Sequence, residues 1–147
     1  GNTAMAQTCQ VCIVTCMDFR LHRRADGRDA LGKFVDQLGC DCDVITRAGA
    51  VRDIVRSAGE GENTLLRDIG VSIALHQIET IYLVNHEDCG AYGPHNFPDA
   101  DAECAMHNDD LDTACNILRE KFAGVEVIPV LARLAEGSDD HYVIEPA

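Results

Sequence analysis

The sequence predicts a single α/β domain built on a parallel sheet flanked by helices. Three observations carry this. Short apolar, β-branched runs stand at 11–15, 43–47, 80–84 and 125–131. Segments of helical period lie between them. The chain has 147 residues, 46% of them apolar, enough for one hydrophobic core. Strand–helix alternation of this kind covers both faces of a parallel sheet with helices, through right-handed connections.

Taken in order, Val11-Cys12-Ile13-Val14-Thr15 reads as a buried strand. Over 29–38, Leu31, Phe34, Val35 and Leu38 recur at helical spacing, and Gly39 ends the pattern. Asp43-Val44-Ile45-Thr46-Arg47 is the second strand, stopped by Ala48-Gly49-Ala50. Asn63 or Thr64 caps a long helix with Leu65, Leu66, Ile69, Ile73 and His76 on one face. Thr80-Ile81-Tyr82-Leu83-Val84 is the third strand. Residues 94–109 are polar and acidic and read as a loop; 111–122 read as a helix with Leu111, Cys115, Leu118 and Phe122 on one face. The fourth strand, 125–131, contains Pro129, which places it at an edge because proline offers the ladder no N–H. After a turn at Glu136-Gly137-Ser138-Asp139, Tyr142-Val143-Ile144 returns as a short antiparallel strand. Gly1 to Ala4 lack a pattern and read as an appended remnant, which leaves 5–147 as the domain.

Charge narrows the partners. There are 25 acidic and 12 basic residues, and only Lys33 and Lys121 are lysines. Phosphate binding needs a basic patch, and the densest basic stretch is Arg23-Arg24, which argues against nucleic acid. The acidic excess reads as a soluble, self-repelling surface or as that of a high-salt cytoplasm. No apolar run has the length of a membrane span and no charged-then-apolar leader is seen, so a cytoplasmic protein with no membrane partner is expected. Reduced thiols, some of them metal ligands, are then expected of Cys9, Cys12, Cys16, Cys40, Cys42, Cys89, Cys104 and Cys115.

Two segments stand out: Cys16-Met17-Asp18-Phe19-Arg20 after the first strand, and His86-Glu87-Asp88-Cys89-Gly90 after the third. In open parallel sheets, functional residues gather beyond the carboxyl ends of the strands. With the first and third strands as neighbours, both segments open onto one crevice. Cys16, His86 and Cys89 then offer two thiolates and an imidazole, a set that suits Zn2+ at about 2.0–2.3 Å and leaves a fourth position open. Asp18 can accept a hydrogen bond from water in that position, held by a charge-assisted bond from Arg20. Alternatively, Asp18 becomes the fourth ligand and closes the site.

The order Cys16-x-Asp18-x-Arg20, a Gly-containing segment after the second strand, and His86-x-x-Cys89-Gly90 resembles the beta class of carbonic anhydrases, over roughly residues 10–93. The resemblance implies Zn2+ on Cys16, His86 and Cys89, a catalytic Asp18–Arg20 dyad, and reversible hydration of carbon dioxide to bicarbonate. It also implies four parallel strands in the order 2-1-3-4 and a homodimer or higher homo-oligomer. Similar short relatives hydrolyse carbon disulfide or carbonyl sulfide, so these remain alternative small-molecule substrates, and a non-catalytic zinc-binding or bicarbonate-sensing role is a third reading. The chain departs from the family pattern in Thr46-Arg47-Ala48-Gly49, where Arg47 takes the place of an Asn, and little of the N-terminal helical arm of many members is present.

The remaining candidates read as structural. Cys9-x-x-Cys12 enters a strand instead of following one, which favours packing over a redox pair. Cys40 and Cys42 also read as packing, Cys104 as a loop residue, and Cys115 as part of an apolar helix face. His76 is expected as a hydrogen-bonded core histidine. His22 is weighed as a proton shuttle against a solvated turn beside Arg23 and Arg24. His95, His107, Asp99, Asp101, Glu103, Asp109 and Asp110 read as a solvated acidic loop in preference to a cation site. Gly49 and Gly90 are expected in tight turns near the site.

Overall fold

The computed structural model describes residues 7–56 and 63–146, so Gly1 to Ala4 lie outside the described residues. Its strands are β1 (Val11–Thr15), β2 (Cys42–Thr46), β3 (Thr80–His86), β4 (Glu126–Leu134) and β5 (Tyr142–Val143). Its helices are α1 (Ala30–Leu38), α2 (Arg52–Val55), α3 (Thr64–His76) and α4 (Ala100–Lys121). The sheet order is β2-β1-β3-β4-β5. The first four strands are parallel, and β5 pairs antiparallel with the end of β4. This is the expected 2-1-3-4 core with its short return strand.

Every residue of β1 is buried, as a central strand covered on both faces requires. Its side chains alternate between two cores. Cys12 and Val14 join Ile81, Leu83, Ile54, Leu65, Ile69, Leu111 and Leu118 under α2, α3 and α4. Val11 and Ile13 join Val84, Val130, Leu31, Phe34 and Tyr142 on the α1 face. Burying such side chains is worth about 1.5–3 kcal/mol each, which opposes the entropy of ordering the strands. Pro129 pairs opposite Leu83 on β3, while β5 reaches only Arg133 and Leu134. The missing N–H therefore faces the unpaired side of β4, as its edge assignment anticipates.

Helix ends follow local chemistry. Asp29 accepts from the Gly32 N–H at 2.8 Å to start α1, and Gly39 ends it at φ 71°. Asn63 settles the start of α3, accepting from Leu65 N at 2.9 Å.

The acidic segment corrects the loop reading of 94–109. Two short 3-10 turns, Pro94–Asn96 the second of them, lead into α4 at Ala100. Asp99 caps α4 through Ala102 N at 2.8 Å, and Asp101 and Glu103 lie in its first turn, where the positive end of the helix dipole favours them. Glu103, His107 and Asp110 are buried, and Cys104 is a helix residue, so none of the four belongs to a solvated loop. His76 departs from its core assignment: its side chain is 42% exposed and bonded to Asp43. Two strands run on further than the apolar pattern suggests. β3 continues to His86 and β4 to Leu134, because main-chain pairing persists after the β-branched run ends.

Candidate metal centre

β1 and β3 are neighbours, with Thr15 opposite Val84. The chain therefore leaves both strands side by side, and Cys16, His86 and Cys89 converge. Their donor atoms lie within 4.8 Å of one another. All three residues are buried, at 5%, 1% and 1% exposure.

The surroundings prepare each donor. The Nδ1 of His86 stands 2.8 Å from the Glu87 carbonyl and 3.1 Å from the Tyr142 hydroxyl. A carbonyl only accepts, so the ring proton sits on Nδ1 and Nε2 carries a free lone pair. That Nε2 is buried without a hydrogen-bond partner. The Gly49 and Asp18 N–H groups donate to the Cys16 sulfur, and those of Ala91 and Tyr92 to the Cys89 sulfur. Sharing one proton, Cys89 donates to Cys16, which lowers the Cys16 pKa and raises that of Cys89. A buried imidazole lone pair with no partner beside two cradled sulfurs is a donor set that fits Zn2+.

Asp18 and Arg20 form a rigid unit beside these donors. Asp18 opens a 3-10 turn over Phe19–Leu21, and its Oδ1 accepts from Arg20 N at 2.9 Å. Arg20 Nε donates to Oδ1 at 3.1 Å and Nη2 to Oδ2 at 2.8 Å. The remaining guanidinium hydrogens go to the Asp88 carboxylate at 2.9 Å, the Asp88 carbonyl at 3.0 Å and the Asp139 carbonyl at 2.8 Å. Arg20 thus spends its donors on three loops and locks them together. Burial alone would raise the Asp18 pKa; the bonds from Arg20 outweigh it and hold the carboxyl below its ordinary range. The Asp18 carboxylate stands outside the close group of Cys16, His86 and Cys89.

Several supporting residues escape sequence reasoning. Glu103 on α4 accepts the Asp88 N–H at 3.0 Å, fixing a residue held at φ 58°. Glu87 accepts from Leu134 N at 2.9 Å. Asn85 accepts from Val51 N at 3.3 Å and points its amide at the Tyr92 hydroxyl (3.1 Å) and at Nδ1 of His107 (3.0 Å). Tyr92 donates to Asp110 at 2.7 Å, and Asp110 also accepts from Arg56 at 2.7 Å. Burial depresses the His107 pKa to about 4, so its ring is neutral at pH 7. The polar spacing Glu103, His107, Asp110 on one helix face was the available signal.

Other candidates resolve individually. His22 Nε2 lies 2.8 Å from the Cys16 carbonyl and so braces the turn. Arg47 binds Asp53 at 3.1 Å and Thr64 Oγ1 at 2.8 Å, tying the end of β2 to the starts of α2 and α3. Gly49, at φ 79°, is strained for any other residue and crowded as well: a Cβ there would meet Arg52 and Ala91 carbons at 3.1 and 3.2 Å. Gly90 opens the tight 3-10 turn Gly90–Tyr92, but with open space around it and no positive φ the turn does not require a glycine there.

An uncharacterised protein of Rickettsia bellii (strain RML369-C) is 28% identical over 142 residues, covering 92% of this chain and 83% of its own length. Among solved structures, carbonic anhydrase from Streptococcus mutans is 17% identical at TM-score 0.55, covering 99% of this chain and 87% of that one. A carbon disulfide hydrolase in its apo form is 16% identical at TM-score 0.51, covering 87% and 76%. At these identities the two structures share the fold. Residues 6–134 match the model of the family described as "Putative carbonic anhydrase", and the chain belongs to that family.

Proposed function

We propose that this protein binds Zn2+ through Cys16, His86 and Cys89 and catalyses the reversible hydration of carbon dioxide to bicarbonate. One observation carries the reading: the buried Nε2 of His86 has no partner and faces two sulfurs already cradled by backbone N–H groups. When bound, zinc supplies the Lewis acidity that makes water a nucleophile near neutral pH. The chain's own residues supply the rest. Glu87 and Tyr142 hold the His86 tautomer. Asp18 is ionised and fixed by Arg20, and a carboxylate with about four acceptor sites retains capacity for one more donor. It accepts a hydrogen bond from the attacking water and so directs the oxygen lone pair toward the substrate carbon, while the proton itself passes to solvent. With both its oxygens engaged by Arg20 and lying outside the donor group, Asp18 serves better as this acceptor than as a fourth ligand.

We also read the working unit as a homodimer. Met17 and Phe19 flank Asp18 yet are 63% and 68% exposed, and a second copy over them would wall the pocket with apolar surface suited to a small nonpolar gas. Metal-quantified protein should accelerate carbon dioxide hydration in stopped flow and release no sulfide from carbon disulfide or carbonyl sulfide. Sulfide release without hydration would transfer the same site to those substrates. Full zinc occupancy with no turnover of any of the three would leave a sensing or binding role.

A further inference from the structure

A second constellation of donors lies at the opposite end of the strands. Cys9 precedes β1, Asp43 is the second residue of β2, and His76 is the last residue of α3. The Cys9 sulfur, an Asp43 carboxylate oxygen and a His76 ring nitrogen lie within 4.8 Å of one another. We propose that Cys9, Asp43 and His76 form a second site for a divalent transition metal, zinc foremost, with the fourth position left to water. This inference stands apart from the carbon dioxide reading and shares no residue with it.

The chemistry of the donors selects the ion. One thiolate, one imidazole and one carboxylate are a mixed S, N, O set of the borderline kind that binds Zn2+ or Co2+, not the all-oxygen set of Mg2+ or Ca2+. Donors around one tetrahedral zinc stand about 3.3–3.8 Å apart, given bond lengths of about 2.0–2.3 Å. From the observed spacing each pair has at most about 1.5 Å to close, a distance within the reach of side-chain rotation on a fixed backbone. Three elements fix that backbone. Cys9 N donates to the His76 carbonyl at 3.2 Å, and Asp43 is paired in the sheet opposite Cys12. Ser72 Oγ donates to Asp43 at 2.6 Å and so orients the carboxylate.

The surroundings favour a cation. The charges that act most strongly on Cys9 are those of Asp43 and Asp41. All three donors are half-buried, and the site opens to a groove of about 400 Å³ that is also lined by Asp68. An ion can therefore enter from solvent. In a hydrogen-bonded clamp that merely pins α3 to β2, the Cys9 sulfur stays a free thiol bonded to the Val11 carbonyl at 3.7 Å and to Asp43, whereas in the metal site it is a bound thiolate shielded from alkylation. Cys9 is thus the residue that separates the two roles.

Metal-free protein titrated anaerobically with Co2+ should bind two equivalents per chain, each with thiolate-to-cobalt charge-transfer absorption. The second should carry the weaker band, because it has one thiolate instead of two. Cys9→Ser and His76→Gln should each remove this second equivalent and leave the first, together with carbon dioxide turnover if present, unchanged. In the unsubstituted protein, Zn2+ should slow alkylation of Cys9, followed by peptide mass spectrometry, by about tenfold or more, since a metal-held thiolate is a poor nucleophile. A single equivalent in the unsubstituted chain, a second equivalent insensitive to Cys9→Ser, or Cys9 alkylation unaffected by Zn2+ would overturn the assignment.

Discussion

Asp18 and Cys89 stand near one centre and should fail differently. Asp18→Asn keeps an oxygen for the Arg20 backbone N–H but loses the charge that Arg20 was built to hold. Metal content should stay at the unsubstituted level while kcat for hydration falls about a hundredfold or more, the scale of a misplaced nucleophile. Cys89→Ser removes a donor, and metal and activity should disappear together. Mass-spectrometric metal analysis beside stopped-flow rates checks both, and an Asp18→Asn protein with unchanged kcat would remove Asp18 from the reaction. The sign of the acid response follows from the same residue. Because its pKa is depressed in the fold, Asp18 adds stability that is complete above the unfolded carboxyl value and is lost as pH falls through the folded one. At this scale the meeting of Cys16, His86 and Cys89 was legible in the sequence, since both segments follow strands that pair as neighbours. The use of every Arg20 donor was hidden, because Asp88 and Asp139 reach it only through the fold.

The helix α4 carries the argument at the scale of elements. Its inner face buries Glu103, His107 and Asp110, and Glu103 bonds to Asp88 beside the candidate metal centre. His107 is neutral in the fold, with its pKa pushed down to about 4 by burial, while the unfolded chain protonates it near the ordinary value of about 6.5. Between those values the unfolded state binds more protons, so stability is whole above about pH 6.5 and declines as pH falls toward 4. From pH 7 to pH 5 this amounts to about 2 kcal/mol. Urea unfolding at the two values should give that loss in the unsubstituted chain and less than half of it in His107→Gln. The difference between the two chains removes effects common to both, metal release included. An equal loss in both chains would place the pH sensitivity elsewhere. This helix also marks where sequence reading stopped. Runs such as Val11 to Thr15 and Thr80 to Val84 announce buried strands because both faces of a central parallel strand must be apolar. The first three turns of α4 bury acids and a histidine through hydrogen bonds, so apolar periodicity is silent there. Only the cap at Asp99 and the charge order, acids first and Arg119 and Lys121 last, betrayed the helix.

For the molecule as a whole, the net charge of −13 and the exposed apolar pair Met17 and Phe19 pull in opposite directions. Two such copies repel through solvent, and the repulsion is screened over about 10 Å at 0.1 M salt. Apolar burial does not weaken with salt in that way. A homodimer joined over Met17 and Phe19 should therefore tighten as sodium chloride is raised, whereas an interface held by exposed ion pairs would loosen. Sedimentation at a series of salt concentrations measures this directly. Replacing both Met17 and Phe19 by Ser should give a monomer at protein concentrations where the unsubstituted chain is a dimer. The fold should survive, because both side chains already face solvent and surface substitutions of this kind cost about 0.5 kcal/mol or less. If the pocket is completed by the second copy, the doubly substituted protein should keep its zinc, since Cys16, His86 and Cys89 all come from one chain, yet show a raised KM as the apolar wall is lost. A dimer that survives the double substitution, or one that dissociates as salt rises, would move the interface away from the mouth of the site.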